Sequence, residues 1–265
     1  MKILWLSDIH LNFLTSKEIA KFIASLSVYN ADGLVITGDI GTGPSIVNYL
    51  KAFIPLDIPV YFVLGNHDFY SSYFSPVRSD VKDVSVLPHL VYLTEEYTPI
   101  QLTNDTVLVG VNGWADGRYG NLETSKVFEM IGDFEYISSF FGISMGESLE
   151  LMQELAGECA EKLNLKLSTV KDSTKRVIIA THVPPFREAC IHMGKVSDED
   201  WLPFFSSKVL GDVILTHAAK HPNIDFTVLC GHTHGEGECK VADNVHVITA
   251  KAEYNHPCVY RELEI

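Results

Sequence analysis

The chain has 265 residues, 46% of them hydrophobic, and a formal net charge of −14. That length holds one large α/β domain or two small ones, and so acidic a surface argues against nucleic-acid backbones and anionic membranes as partners unless bound cations reverse its sign locally. No apolar run is long enough to span a membrane, no targeting or lipidation signal is evident, and five scattered cysteines without a CxxC pair predict reduced thiols, so the sequence reads as cytoplasmic.

The first predicted strand, Ile3-Leu4-Trp5-Leu6, gives way to Ser7-Asp8-Ile9-His10. Residues 16–29 predict a helix, with Ile19, Phe22, Ile23 and Leu26 on one face. Leu34-Val35-Ile36-Thr37 is the next strand and ends in Gly38-Asp39; Pro44 then opens a short helix carrying Ile46, Val47 and Leu50. The third strand, residues 60–64, is β-branched and aromatic and ends in Gly65-Asn66-His67-Asp68. There Gly65 permits a sharp turn, Asn66 offers a neutral oxygen, His67 can ligate a metal or carry a proton, and Asp68 can orient that histidine. This strand–helix alternation predicts a parallel sheet buried on both faces, with its site at the carboxyl ends of the strands.

Residues 91–112 predict further strands, most clearly Val107–Val111. From Trp114 to about Ser173 strand signals fade. Ser144 and Glu147 fit a capping box, and Met145, Leu149, Met152, Ala156, Cys159 and Leu163 form an apolar helical stripe expected to pack on the sheet. The Phe- and Ile-rich segment 127–141 before it predicts another core helix or a lid. Strand character returns at Val177–Ala180, which ends in Thr181-His182, and at Phe226–Cys230, which ends in Gly231-His232-Thr233-His234, with a helix over 206–220 between them. Residues 238–263 predict a short antiparallel run turning at Asp243-Asn244. With no repeat or linker, the expectation is one domain over 1–265, with 114–173 a helical insertion or lid within it.

Five strand ends therefore present Asp8 and His10, Asp39, Asn66 and His67, His182, and His232 and His234. Clusters made of Asp, Asn and His are costly to bury unpaired, and metal ions would satisfy them together. Imidazole, carboxylate and amide oxygen without a thiolate suit Mn, Fe, Zn, Ni or Co.

Asp8-x-His10, Gly38-Asp39, Gly65-Asn66-His67-Asp68, His182 and Gly231-His232-x-His234 together resemble the five-motif signature of the calcineurin-like metallophosphoesterase superfamily, in its order and over most of the chain. The resemblance implies a four-layer α-β-β-α sandwich, two mixed sheets packed together and flanked by helices, with two metal ions at the strand ends. By position, Asp8, His10 and His234 would hold one metal, Asn66, His182 and His232 the other, and Asp39 would bridge them. His67, assisted by Asp68, would act beside the substrate rather than as a ligand. Thr42 stands where family members often carry an acidic or amide residue, a departure outside the direct ligands.

The implied reaction is hydrolysis of a phosphate mono- or diester of a small molecule or nucleotide. Metals about 3.5–4 Å apart can share a hydroxide that attacks phosphorus in line with the leaving oxygen. Candidates to line the substrate pocket are Tyr70, Trp114, Arg118, Tyr119, Arg187, His192 and Trp201; Arg118 or Arg187 could grip a second phosphate, and Trp114 or Tyr119 could stack on a base. The expected partner is a small phosphorylated substrate, with no membrane. A nuclease is disfavoured by the acidic charge and the lack of a basic stripe. The competing class is a catalytically retired scaffold that binds a protein partner; relatives of that kind tend to have lost ligands or the His of Gly-Asn-His, and here all are intact.

Overall fold

A computed structural model describes residues 1–265 throughout. The chain opens with β1 (Lys2–Leu6), α1 (Ser16–Leu26), β2 (Gly33–Thr37), α2 (Ile46–Ala52), β3 (Val60–Val63), α3 (Phe74–Val84) and β4 (Leu90–Tyr92). These strands are parallel neighbours in sequence order, with Leu34 facing Leu4 on one side and Val60 on the other. The sequence reason is the period of two within each fully apolar strand. Leu4 and Leu6 of β1 face the helices, while Ile3 and Trp5 face the second sheet.

Next come β5 (Ile100–Gln101), β6 (Thr106–Gly110), α4 (Asp133–Tyr136), α5 (Met145–Leu167), β7 (Arg176–Ala180), a small hairpin of β8 (Ile191–His192) and β9 (Lys195–Val196), α6 (Leu202–Phe205), α7 (Lys208–Lys220), β10 (Asp225–Cys230), β11 (Gly237–Ala242), β12 (Val245–Thr249) and β13 (Arg261–Glu264). The second sheet has the order β11-β12-β10-β7-β6-β5, parallel in its centre and antiparallel at both edges. Trp5, Val63, Ile178 and Leu229 fill the space between the sheets, α1 to α3 cover the outer face of the first, and α5 and α7 cover that of the second. The architecture is the expected four-layer sandwich of two mixed sheets flanked by helices.

Three elements depart from the sequence expectation. Helix α3 is additional; Phe74, Val77, Val81 and Val84 form its buried stripe, interrupted in sequence by charged residues and Pro76. Residues 238–263 do not form one antiparallel run: β11 and β12 do, but β13 crosses to the other sheet and caps β1 antiparallel. Residues 127–141 form neither a long helix nor a strand but a series of short turns around α4. Helix α5 starts at the Ser144 capping box, with Ser144 Oγ accepting the Glu147 N–H at 3.3 Å. It is tied by Lys166 to β6 and to the turn that follows β4, the buried ammonium donating to the carbonyls of Leu93 (2.6 Å), Thr94 (3.1 Å) and Gly110 (2.7 Å). No helix is long and apolar enough to cross a membrane.

Candidate metal centre

The loops that leave β1, β2, β3, β7 and β10 meet at one end of the sandwich. The first two are joined along their backbones, Asp8 N–H donating to Gly38 O at 3.0 Å and His10 N–H to Asp39 O at 2.9 Å. Asp8, His10, Asp39, His232 and His234 all have positive φ, between 40° and 71°. That left-handed backbone is uncommon for residues other than glycine, and five of the ligand-type residues adopt it at this one place. The glycines of the motifs are required by close approach: a Cβ on Gly65 would lie 2.2 Å from Asp39 Oδ1, and one on Gly231 2.1 Å from Asp8 Oδ2.

Asp8, His10, Asp39 and His234 form a first group whose ligating atoms all lie within 4.8 Å of one another. His10 Nε2 is 3.2 Å from His234 Nε2 and 3.7 Å from Asp39 Oδ2, and His234 Nε2 is 3.4 Å from Asp8 Oδ1. A second group adjoins it. Asn66 Oδ1 lies 3.0 Å from both His182 Nε2 and His232 Nδ1. Asp39 faces both groups, with Oδ2 toward His10 and Oδ1 3.4 Å from His182 Nε2.

The protonation states in the second group follow from what stands behind each ring. His182 Nδ1 is 2.8 Å from Thr37 O, and His232 Nε2 is 3.3 Å from Phe204 O. A carbonyl only accepts, so each ring carries its proton on that outer nitrogen and turns a bare lone pair inward. Burial holds both rings neutral, lowering the His182 pKa and bringing that of His232 to about 3. The Asn66 amide donates through Nδ2 to Asp133 Oδ1 at 2.7 Å, so its oxygen also points inward. Three acceptors thus converge with no hydrogen between them, which is unfavourable unless a cation sits among them. The donor set therefore fits a metal ion on the chemistry of its own atoms.

The carboxylates lead to the same conclusion. Asp8 and Asp39 are 2% and 1% exposed. Burial and the charges of Asp8 and Asp68 push the Asp39 pKa well above the ordinary carboxylate range. Burial also works against ionisation of Asp8, but the hydrogen bond from His234 and the neighbouring imidazoles bring it below that range. Only one of the pair readily ionises until cations compensate both. Burial and His67 lower the pKa of His10 to about 2, so that ring also presents a neutral ligand.

Asp68 takes a role different from the one expected. Its Oδ1 accepts the Gly41 N–H at 2.7 Å and its Oδ2 the Gly65 N–H at 2.9 Å, so it fastens the Asp39 loop to the Asn66 loop and does not bond the His67 ring. Asp68 is fully buried beneath the loop, whereas the His67 ring points into a cavity. Thr42 makes no side-chain hydrogen bond with any ligand residue; the loop there is held by Asp68 instead. The His67 backbone donates to Asp39 Oδ1 at 2.9 Å, and its ring stacks on Tyr70 at 4.1 Å. Burial and the nearby His182 lower its pKa to about 3.

The cavity above Asn66, His67, His232 and His234 measures about 280 Å³ and is walled by Tyr70, Ile131, Trp201, Phe205 and Tyr254, with His192 at its edge and no lysine or arginine. A larger cleft of about 370 Å³ opens at the other ends of β7 and β10, remote from the histidines. Of the seven predicted pocket residues, Tyr70, His192 and Trp201 reach the cavity. Trp114 is buried instead between Phe69 and Phe74. Arg118 is paired with Asp116 at 3.2 Å, and Arg187 with Glu199. Tyr119 stands outside the cavity wall. Asp133 and Tyr254 escaped sequence reasoning, because neither lies in a periodic segment or a ligand-type cluster.

A family model described as calcineurin-like phosphoesterase matches residues 1–236. A protein of Acanthamoeba polyphaga mimivirus, itself described as uncharacterised, is 23% identical over 269 residues, covering 97% of this chain and 92% of that one. Among solved structures, the phosphopantetheinyl hydrolase of Mycobacterium tuberculosis superposes with a TM-score of 0.69 at 15% identity, over 99% of this chain and 95% of that one. A dimetal phosphatase of Danio rerio superposes with a TM-score of 0.57 at 13% identity, over 95% and 87%. At these identities the structural likeness is one of fold.

Proposed function

The chain belongs to the calcineurin-like phosphoesterase family, and we propose that it hydrolyses a phosphate ester of a small molecule at a two-metal site. In this reading Asp8, His10 and His234 hold one cation, Asn66, His182 and His232 hold a second, and Asp39 serves both. The observation that carries it is the inward convergence of Asn66 Oδ1 and two unprotonated imidazole nitrogens beside a carboxylate that faces both groups. When bound, divalent cations supply Lewis-acid polarisation of the phosphoryl oxygens and a water acidic enough to attack at neutral pH.

The chain's own residues do the rest. His67, neutral and held against Tyr70, offers a ring N–H to a phosphoryl or leaving-group oxygen at the cavity edge. The aromatic walls exclude water and receive the organic part of the substrate. Because no cationic side chain lines the cavity and both nearby arginines are paired, nothing there meets a second phosphate. This favours a substrate with one phosphoryl group and an uncharged organic moiety, and the net charge of −14 favours it over a nucleic-acid polymer.

The test is turnover of p-nitrophenyl phosphate and bis-p-nitrophenyl phosphate by metal-stripped protein refilled with Mn, Zn, Fe, Co or Ni, beside Asp39→Ala. Turnover that requires metal and disappears in the variant supports the reading, and the ratio of the two substrates assigns monoester or diester preference. Absence of turnover with every metal counts against it.

A further inference from the structure

Asp133 belongs to none of the strand-end motifs; it comes from the four-residue helix α4. We propose, resting on the two-metal reading above, that Asp133 is a positioning residue that builds the second cation site by fixing which end of the Asn66 amide faces it.

One oxygen of Asp133 accepts from Asn66 Nδ2 at 2.7 Å and from the Tyr70 hydroxyl at 2.8 Å. That oxygen stands as the acceptor between two donors, so the NH₂ end of Asn66 faces it and the oxygen end faces His182 and His232. The opposite orientation is the dangerous one. With the amide flipped, its NH₂ group would donate to the bare nitrogens of both rings, 3.0 Å away, and the protein would fill its own cation site. That state satisfies every group locally, so in the absence of a cation nothing else in the cluster forbids it. Asp133 forbids it, because flipping would set the Asn66 oxygen against a carboxylate oxygen.

Asp133 is held to the same loop it controls. Ser71 N–H donates to Tyr136 O at 2.7 Å, Ser138 N–H to Ser72 O at 2.9 Å, and Phe74 N–H to Ser139 Oγ at 3.1 Å. These bonds join the segment around α4 to the loop that carries Asn66 and His67, and Ile131 and Asp133 of that segment line the cavity.

The test is calorimetric titration of Mn²⁺ into the metal-stripped full-length chain, with bound metal counted by elemental analysis. Wild type is expected to bind two equivalents. Asp133→Asn keeps the shape but can face Asn66 with either end, so it is expected to weaken one of the two equivalents about tenfold and leave the other unchanged. Asp133→Leu holds neither end and is expected to weaken the affected equivalent by up to about 100-fold, the range seen when partners behind metal ligands are removed. Wild-type affinity for both equivalents in either variant overturns the proposal. Fewer than two equivalents in the wild type overturns the two-metal reading itself, which separates the two failures.

Discussion

Replacing Asp39 with asparagine should raise the stability of the metal-free protein while removing its response to metal. The ligating oxygens of Asp8 and Asp39 lie within 4.8 Å of each other in a buried site. Two unit charges at such a spacing repel by about 3 kcal/mol at an effective dielectric near 20. Asp39 escapes part of this by taking up a proton, which is why its pKa is raised. Asparagine carries no charge to relieve, and its oxygen can still accept the His67 N–H now bonded at 2.9 Å. A gain of roughly 1–2 kcal/mol, or ~2–4 °C in Tm for a chain of this size, is expected in EDTA at neutral pH. The sign with pH is fixed. A carboxyl with a raised folded pKa binds more protons when folded, so its penalty grows as pH rises from the ordinary carboxylate range through the raised value. The advantage of Asp39→Asn should therefore shrink as pH falls toward about 4. Excess Mn²⁺ should reverse the order, because a cation at about 100 times its Kd stabilises the fold that binds it by about 2.7 kcal/mol. Differential scanning fluorimetry at several pH values, with and without Mn²⁺, reads all of this. A metal-free variant that melts at or below wild type would refute the electrostatic argument, and so would an equal rise of both proteins with Mn²⁺.

Other expectations test neighbouring parts of the structure. His67→Ala should lower kcat at least about 100-fold while bound metal stays at its wild-type level, because the ring lies at the cavity edge with Nε2 3.9 Å from Asp39 Oδ2, and the 2.9 Å bond to Asp39 comes from the His67 backbone, which the variant keeps; elemental analysis beside steady-state kinetics checks both. Trp201→Ala should raise KM for an aryl phosphate several-fold with little change in kcat, the pattern of an interaction shared by ground and transition states. An unchanged KM would remove Trp201 from the substrate wall. Lys166→Met should destabilise the fold by about 3 kcal/mol, since it strips the partner from three carbonyls that its ammonium bonds; urea unfolding measures it, and a loss under about 1 kcal/mol would mean that water replaces the ammonium.

What could be read in advance follows from how local each signal is. Ligand-type residues at strand ends were visible because an apolar run that breaks into Asp, Asn and His has no packing explanation, and the parallel order of β1 to β3 followed from the strand–helix alternation. Side-chain pairing was less visible. Asp68 stands next to His67 in sequence, yet its oxygens point back to the Gly41 and Gly65 amides, a direction set by the turn itself. Arg118 and Arg187 looked free as lone cations in loops; their partners Asp116 and Glu199 become evident only once the loops are folded. Strand β13, with the charged sequence Arg261-Glu262-Leu263-Glu264, has no buried-strand signature because it is an edge strand added to β1. Asp133 and Tyr254 were invisible for a related reason. They reach the site from irregular segments, where no period ties a residue to a face.

The account turns on a hydrolytic centre that needs two cations. The most direct measurement is a stepwise Mn²⁺ titration of metal-stripped protein, in which bound metal and turnover of the better chromogenic phosphoester are followed in the same samples. Turnover that stays near background through the first equivalent and rises with the second is the result expected from two adjacent ligand groups sharing Asp39. Full turnover at one equivalent, or turnover that survives complete removal of metal, would contradict the account.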